Sequence, residues 1–393
     1  MPTVPKVALL IEMHAGYGRG VLRGIARYAH LHGPWVIYVP AEELPSVTLS
    51  LPKGGRWEGS GMIGRVLSER IAGEVLSAGI PVIGMDLSEE QLAPGNPLSQ
   101  ISELRPDSRA AGRMVAEYFL DRGFRHFAFC GYGGAIWSRR REEGFCQRLA
   151  EANFSVSVYQ HRRGKPRPAW ERERPQMIQW LQSLSYPLGL MACNDHRGRQ
   201  VLEACLLAGL DVPDDVAVVG ADDDRLLCDL SNPPLSSIAF NAEKGGYQAA
   251  EVLAGLMAGR IMEPQRILVE PLGVTERYSS DVVAVEDRHV ARALRFIRDN
   301  ARCSIRVEDA VAQSGIGRRA LEIRFQKALG RSIRDEIQRG HLAWAKRLLT
   351  ETELPMTKIA EYSGFNSLSY LSNVFHRESG VTLAQYRRQT RPG

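Results

Sequence analysis

The C-terminal stretch from Lys358 to Arg387 constrains the fold of this chain more than any other part. A short segment with an apolar face comes first, and Ser363-Gly364 ends it, because glycine adopts a positive φ at a helix end without strain. Ser367 is a predicted N-cap for a second helix, in which apolar residues recur at helical spacing: Leu368, Leu371, Val374 and Phe375. Two short helices joined by a tight turn are typical of a helix-turn-helix, although one such unit also fits an ordinary helical hairpin.

An upstream segment, residues 305–330, repeats this pattern. Ser314-Gly315 supply the turn, and an amphipathic helix is predicted from Arg318 to Ala328. Phe325 occupies the same place in this unit as Phe375 does in the next. Repetition favours a tandem pair of helix-turn-helix units over a helical hairpin.

The two units carry a resemblance to the DNA-binding domain of the AraC/XylS family of transcription regulators. It covers residues 287–393, and its most specific element is the second unit. The matching residues there are Ile359-Ala360, Gly364-Phe365, Ser369-Tyr370, Phe375, Gly380, Tyr386 and Arg387. One departure is Leu383, where the family usually has proline, and it would loosen the turn before the last helix.

The resemblance implies that the second helix of each unit enters the major groove of double-stranded DNA, where all base pairs are distinguishable. It assigns base contacts to Arg319, Glu322 and Ile323 in the first unit and to Ser369, Ser372 and Asn373 in the second. Five further arginines are predicted to position the DNA through its phosphates: Arg318, Arg324, Arg377, Arg387 and Arg388. A simpler alternative to phosphate binding is that some of these arginines are ordinary exposed helix residues.

Charge is distributed unevenly along the chain. Residues 287–393 carry a net charge of +9, and the remaining residues carry −4. A basic tail on a mildly acidic body fits a nucleic-acid-binding module attached to another domain. Taken alone, such a bias also fits a solvated surface.

The body of the chain alternates apolar runs with amphipathic helical stretches, which predicts parallel sheets covered by helices on both faces. Two such series predict two doubly wound lobes, the first from residues 1–104 and 238–275 and the second from residues 105–237. Strand Ser236–Phe240 is predicted to return the chain to the first lobe. A linker over residues 278–286, containing Ser279-Ser280, would separate the domain 1–277 from the domain 287–393.

This body resembles the two-lobe, type I periplasmic-binding-protein-like core of LacI/GalR regulators. The segments DSRAAGRMVAEYFLDRGFRHFAFCG, DVPDDVAVVGADD and PPLSSIAF carry the match. The expected fold is therefore an α/β two-lobe ligand domain followed by an all-α domain with two helix-turn-helix units.

Ligands of open α/β sheets bind at the carboxyl ends of the strands, and a cleft between two lobes suits a small molecule. Sugar hydroxyls both donate and accept, so carboxylates, amides, guanidiniums and an aromatic face suit a sugar. The resemblance assigns these roles to Tyr17, Asp86, Arg141, Trp170, Asn194 and Asp222. For each residue a plainer role is open, because strand-end Asp and Asn often cap the next helix and Trp170 fits a core position.

A sensor core placed ahead of an AraC-type domain resembles the family of xylose operon regulators. That resemblance implies a homodimer, a D-xylose inducer, direct-repeat half-sites and activation through RNA polymerase. Phe240 and the loop Glu12–His14 depart from common sugar binders. The alternative is the same architecture answering to a different sugar, as activator or repressor of another carbohydrate operon.

Two other classes of protein fit less well. A transport receptor would need a signal peptide, and the first apolar run is too short for one or for a membrane span. An enzyme would need a catalytic motif, and no P-loop, GxSxG or complete GxGxxG occurs. The six cysteines and nine histidines show no metal spacing. We expect a cytoplasmic regulator without a cofactor or a membrane partner.

Overall fold

The computed structural model describes residues 4–39, 59–65, 72–73, 76–77, 79–160, 170–282, 285 and 287–390. The chain divides into two compact units, residues 1–282 and 283–393. The strand–helix alternation of the sequence predicts a helix from Glu69 to Ala78, and most of this range lies outside the described residues.

The first sheet of unit 1 is formed by six strands: β1 Lys6–Leu10, β2 Val36–Tyr38, β3 Gly61–Arg65, β4 Val82–Met85, β5 Ser102–Pro106 and β11 Arg266–Val269. These strands are parallel and lie in the order β2-β1-β3-β4-β5-β11. The central strands are short apolar runs, as expected of parallel strands that are covered on both faces.

The second sheet is formed by β6 His126–Gly131, β7 Val156–Gln160, β8 Leu188–Ala192, β9 Val216–Ala221, β10 Ser236–Phe240 and β12 Pro271–Thr275. Its strands lie in the order β7-β6-β8-β9-β10-β12, and only the last pair, β10 with β12, is antiparallel among the pairings described. All residues of β8 and β9 are buried.

Helices flank the two sheets. They are α1 Gly16–His32, α2 Ser108–Asp121, α3 Ile136–Glu151, α4 Trp170–Gln182, α5 Asp195–Ala208, α6 Arg225–Leu230 and α7 Ala242–Met257. Glycine allows α1 and α7 to approach closely, since a Cβ on Gly24 would lie 2.0 Å from the carbonyl oxygen of Glu243. The strand–helix alternation predicted from the sequence is confirmed.

The chain crosses between the sheets three times, after β5, after β10 and after β11. The assignment of Ser236–Phe240 to the first lobe is wrong, because this strand pairs in parallel with β9 of the second sheet. Pro271–Thr275 also pairs in the second sheet, against β10. The segment that returns to the first lobe is therefore α7 and β11.

Ser279 and Ser280 do not belong to an exposed linker, because both are fully buried in unit 1. The Ser279 hydroxyl donates to the carbonyl oxygen of Val218 at 2.6 Å and accepts from the backbone N–H of Ser236 at 2.8 Å. Ser279 thus satisfies backbone groups of the second sheet, although its composition suggested a linker.

Unit 2 contains seven helices in its described part. They are α8 Arg288–Asp299, α9 Val307–Ser314, α10 Arg318–Leu329, α11 Ile333–Glu351, α12 Met356–Tyr362, α13 Leu368–Ser379 and α14 Leu383–Thr390. Each helix-turn-helix has its own apolar cluster, centred on Phe325 in one and Phe375 in the other. The connecting helix α11 supplies Ile337 to the first cluster and Ala345 to the second.

Leu383, the departure that was expected to loosen the turn before the last helix, is the first residue of α14. This side chain is buried in the second cluster, and the Thr382 hydroxyl accepts from the backbone N–H of Gln385 at 3.3 Å. The Gln385 side chain in return accepts from the backbone N–H of Thr382 at 2.9 Å. The two side chains thus cap the first turn of α14 reciprocally.

Candidate ligand cleft and nucleic-acid interface

The hydroxyl of Tyr17 marks the cleft in unit 1. Tyr17 lies in the first turn of α1 and is buried, and its Oη has no hydrogen-bond partner among the described residues. Burial and the nearby carboxylate of Asp86 raise the pKa of Tyr17 well above its usual value, so the phenol stays protonated. A buried hydroxyl without a partner is costly, which makes it a candidate ligand contact.

The first lobe contributes an ion-paired cluster beside this hydroxyl. Arg65, the last residue of β3, donates through Nη1 to Asp86 and through Nε to Glu12 Oε2 at 2.7 Å. Burial works against its charge, but Asp86 and Glu12 outweigh this and raise the pKa of Arg65. The guanidinium therefore stays charged within the cleft wall.

The second lobe contributes a matching pair. Arg141 of α3 is buried and donates through Nη2 to Asp222 Oδ1 at 2.9 Å and through Nη1 to the carbonyl oxygen of Cys193. Burial raises the pKa of Asp222, and Arg141 opposes that shift. Asp86 and Asp222 each follow a strand and have positive φ, 50° and 106°, a conformation that is uncommon for non-glycine residues and clusters at functional sites.

Aromatic rings line the same space. The Phe240 ring meets Tyr17 edge to face at 6.0 Å between centroids. The Arg141 guanidinium carbon lies 5.1 Å from the Phe240 centroid and 5.3 Å from that of Trp137. The cleft therefore combines charged groups with apolar faces, a combination that suits a molecule with both hydroxyls and C–H surfaces.

The two lobes touch each other at the mouth of the cleft. Arg19 of α1 pairs with Asp224 of the second lobe at 2.7 Å, and the Asp224 carboxylate is nearly buried. Arg139 of α3 pairs with Glu89 of the first lobe at 3.2 Å. A Cβ on Gly16 would lie 2.9 Å from the Asp224 Cβ, so these segments are in direct contact.

The structure brings together four of the six predicted cleft residues, Tyr17, Asp86, Arg141 and Asp222. Asn194 follows β8 at the same edge, but its side chain caps α5 by accepting from the backbone N–H of Arg197 at 2.9 Å. Trp170 does not join them by any described contact. Its indole N–H donates to Glu203 at 3.0 Å, and its ring packs on the core of the second lobe.

Arg65 is a cleft residue that was not predicted from the sequence, and Phe240 and the loop containing Glu12 were noted as departures from common sugar binders. A signal for Arg65 existed, because a lone arginine ends the apolar strand GMIGR at the edge where ligands bind. The partners of Arg65 could not be predicted, since they come from two other strand ends.

The predicted base-reading residues face outward on α10 and α13. Arg319, Glu322, Ile323, Ser369 and Asn373 are exposed, and Ser372 is half-buried. The apolar residues behind them, Leu321 and Leu371 among others, are fully buried. Both helices therefore present their predicted reading residues to solvent.

Several of the predicted phosphate-binding arginines already have partners within unit 2. Arg318 pairs with Glu308 at 2.6 Å and with Glu322 at 2.8 Å. Arg324 pairs with Asp287 at 3.0 Å.

The remaining three arginines of this set differ in how accessible they are. Arg387 is half-buried and donates to the carbonyl oxygen of Leu354 at 2.6 Å. Arg388 is exposed on α14, and Arg377 of α13 is exposed beside Glu378 at 3.2 Å. Arg377 and Arg388 therefore remain the more accessible pair.

Among the described residues, no helix is both long and apolar enough to cross a membrane. A model of the periplasmic binding protein-like domain family matches residues 116–280, and a model of the helix-turn-helix domain family matches residues 311–389. The two matches fall in units 1 and 2, respectively.

Over 386 residues the chain is 30% identical to the Xylose operon regulatory protein of Escherichia coli strain K12, covering 97% of this chain and 96% of that protein. It is 28% identical over 392 residues to the protein of the same name from Haemophilus influenzae, covering 97% and 98%. These relatives are transcription regulators, which confirms the interpretation that the chain is not an enzyme.

A solved structure of the xylose-binding transcription activator xylR aligns with 100% of both chains at 30% identity and a TM-score of 0.77. The transcriptional regulator CelR in complex with cellobiose aligns with 71% of this chain and 86% of that chain, at 19% identity and a TM-score of 0.55. The second likeness shows a shared fold alone. The predicted fold class, a two-lobe ligand domain followed by a helix-turn-helix domain, is confirmed.

Proposed function

This chain belongs to the family of xylose operon regulatory proteins, and from that premise we propose that D-xylose is the effector bound in the cleft of unit 1. The chain is a sugar-responsive transcription regulator whose helix-turn-helix domain binds DNA. The observation that carries the choice of site is the buried, unpartnered hydroxyl of Tyr17 between two charged pairs, Arg65–Asp86 and Arg141–Asp222.

The chemistry of the cleft fits a small polyol. Each sugar hydroxyl donates one hydrogen bond and accepts others, so Asp86 and Asp222 would accept while Arg65 and Arg141 donate. The Tyr17 phenol does either. Hydroxyls moved out of water without partners cost free energy, and charged partners on both sides offset that cost. Phe240 supplies an apolar face for the C–H groups of the ring.

Contacts between the lobes explain how binding would act on the protein. A sugar held by Asp86 of one lobe and Asp222 of the other favours the closed arrangement, in which Arg19 and Asp224 pair. The sugar shifts the equilibrium between open and closed forms by its differential affinity for the two forms and by no more than that.

We propose that two copies bind direct-repeat half-sites on DNA and recruit RNA polymerase as an activator. Two recognition helices in each chain support the reading of consecutive major-groove segments by each copy. The relative of known structure is a transcription activator. Because the target is DNA, we place the protein in the cytoplasm.

A different sugar is the second candidate, and Phe240 is the observation that favours it. Many sugar binders have a polar residue at this position, and here the ring contacts both Tyr17 and Arg141. An apolar ring in place of a polar side chain would change which arrangement of sugar hydroxyls fits the cleft.

The test is calorimetry and thermal unfolding of the full chain with D-xylose, D-ribose, L-arabinose and D-glucose. Ligand that binds the folded protein raises Tm by mass action, and we expect D-xylose to raise it most. Tyr17→Phe deletes only the hydroxyl and should weaken binding about tenfold, from the loss of about 1.4 kcal/mol of hydrogen bonding.

Tyr28→Phe is the matched control, because Tyr28 lies on the same helix but stacks on His32 at 4.4 Å. It should bind D-xylose as the wild type does. Stronger stabilisation by another sugar would retire D-xylose and keep the cleft. Binding that is equal in wild type and Tyr17→Phe would show that the site is wrong.

A further inference from the structure

The first helix of unit 2, α8, carries a row of arginines. Arg288, Arg292 and Arg295 follow one another at helical spacing, with Arg288 and Arg292 exposed and Arg295 half-buried. The opposite face of α8 is apolar and packs in the first cluster through Val290, Ala293, Leu294 and Ile297. We call Arg288 and Arg292 the α8 arginine pair.

Carboxylates of the described residues do not neutralise the charge of this pair. Among the contacts of the described residues, neither Arg288 nor Arg292 has a carboxylate partner. By contrast, Arg318 and Arg324 of the recognition helix α10 are both ion-paired. Arg288 and Arg292 therefore add positive charge on α8 that no described carboxylate offsets, and neither residue has a predicted role.

The pair is next to the part of unit 2 that reads DNA. The Arg292 Nη1 atom lies 3.6 Å from where a Cβ on Gly315 would stand, and Gly315 ends α9 in the turn before α10. His289, between the two arginines, shares a hydrogen bond of 2.8 Å with the carbonyl oxygen of Ser314. The N-terminal half of α8 is thus packed against the helix-turn-helix turn.

We propose that Arg288 and Arg292 bind phosphates of the DNA backbone beside the base pairs read by α10. This inference rests on the DNA-binding function of unit 2 and adds residues outside the helix-turn-helix itself. A planar guanidinium binds phosphate through two parallel N–H donors, and such contacts set register without reading sequence.

A polyanion fits this surface better than a protein partner does. Protein interfaces enrich arginine together with exposed aromatic anchors, whereas α8 presents no exposed aromatic residue beside this pair. Phe296, the nearest aromatic residue on α8, packs against the apolar cluster of the unit. Uncompensated guanidiniums next to a reading helix attract phosphates by charge.

The test measures the salt dependence of DNA binding by the full chain. The probe is a duplex selected from a random library by the wild-type protein with D-xylose present. The double variant Arg288→Ala/Arg292→Ala should lower the slope of log Kd against log salt by about 1.8 per bound copy, since each phosphate contact contributes about 0.9. Its preference among single-base variants of the duplex should not change.

Arg302→Ala is the matched control. Arg302 is exposed in the same unit, and its guanidinium carbon lies 4.5 Å from the centroid of the Trp344 ring. It should keep the wild-type slope, and Arg292→Lys, which retains the charge, should keep most of it. Thermal unfolding of each variant checks that the fold is intact.

A wild-type slope in the double variant overturns the proposal. So does an equal fall in Arg302→Ala, because the effect would then come from net charge alone. If the double variant bound DNA normally but no longer activated transcription by RNA polymerase, the pair would be a protein-docking surface instead. A wild-type chain that selects no duplex overturns DNA binding itself, and the inference with it.

Discussion

Ion pairs in the cleft of unit 1 and on the reading surface of unit 2 differ sharply in exposure. The side chains of Arg141 and Asp222 are 3% and 15% exposed, whereas those of Arg318 and Glu308 are 57% and 63% exposed. Both are arginine–carboxylate pairs within hydrogen-bonding distance. The first pair has given up most of its water, and the second remains solvated.

This difference predicts how each region responds to substitution. Removing one member of a buried pair leaves the other charge without water or a partner, which costs about 3–5 kcal/mol. An exposed pair is screened and contributes at most about 1 kcal/mol. The cleft should therefore show large losses that depend little on salt, and the reading surface smaller losses that depend on salt and on DNA sequence.

The largest expected effect is that of Asp222→Ala on D-xylose binding. It removes a hydrogen-bond acceptor from the cleft and leaves Arg141 buried without its carboxylate. We expect affinity to fall by at least about a hundredfold, which corresponds to about 3 kcal/mol. Calorimetry with the full chain measures it, and Arg141→Ala should give a loss of the same order.

Asp229→Ala is the control for that prediction. Asp229 lies on α6 near Arg225 and is half exposed, at 53%. Its loss should leave D-xylose affinity unchanged. If Asp222→Ala bound D-xylose as tightly as this control, the cleft would not be the sugar site.

Arg319→Ala should give the next largest effect, on the selectivity of DNA binding. A bidentate arginine–guanine contact discriminates against the wrong base by about 1–3 kcal/mol, so base preference should relax at one position. Binding to a panel of single-base duplex variants measures this, and Asn373→Ala should relax a different position. Equal weakening of all duplexes by Arg319→Ala would show that it contacts phosphate instead.

A smaller effect is expected from pH, through His196 at the start of α5. Its ring lies 6.3 Å from that of His14, which belongs to the other lobe. Burial lowers the pKa of His196, and His14 and Arg199 lower it further, while Asp224 and Asp222 oppose the shift. The closed cleft therefore favours neutral His196.

The sign of the pH dependence follows from this shift. Above the ordinary histidine pKa, about 6.5, His196 is neutral in both forms and closure is unaffected. As pH falls below that value, the open form takes up a proton that the closed form disfavours, so D-xylose affinity should fall several-fold. Titrating affinity against pH tests this, and His196→Gln should flatten the profile if the assignment is right.

Local pattern was sufficient to predict most elements of the fold. Buried parallel strands need apolar runs, and these runs are visible in the sequence around Val216–Ala221 and its neighbours. Sheet membership was not visible, since the pairing of Ser236–Phe240 with β9 depends on a contact between distant segments. Ser279-Ser280 misled for the same reason, because their hydrogen-bond partners lie far away in the chain.

The cleft shows the same limit. Asp86 and Asp222 could be predicted because each follows a strand that ends at the ligand edge. Arg65 takes its role from Glu12 and Asp86, which reach it only in the folded sheet. On the reading surface, periodicity predicted that Arg324 is exposed, but not that Asp287 neutralises it.

The smallest expected effect is that of Arg324→Ala on the stability of unit 2. Its pair with Asp287 is exposed at 46% and 28%, so the free energy of unfolding should change by less than about 1 kcal/mol. Asp287→Ala should cost more, about 1 kcal/mol, since this carboxylate also caps α8 by accepting from the backbone N–H of His289 at 2.9 Å.

Urea unfolding of the full chain at low and high salt separates these two contributions. The Arg324→Ala effect should vanish at high salt, because an exposed ion pair is screened, whereas the capping loss in Asp287→Ala should persist. If Arg324→Ala destabilised the chain as much as Asp287→Ala at every salt concentration, the exposed pair would behave like a buried one. The exposed fraction of an ion pair would then not predict how much the pair contributes to stability, and the contrast between the cleft and the reading surface would fail.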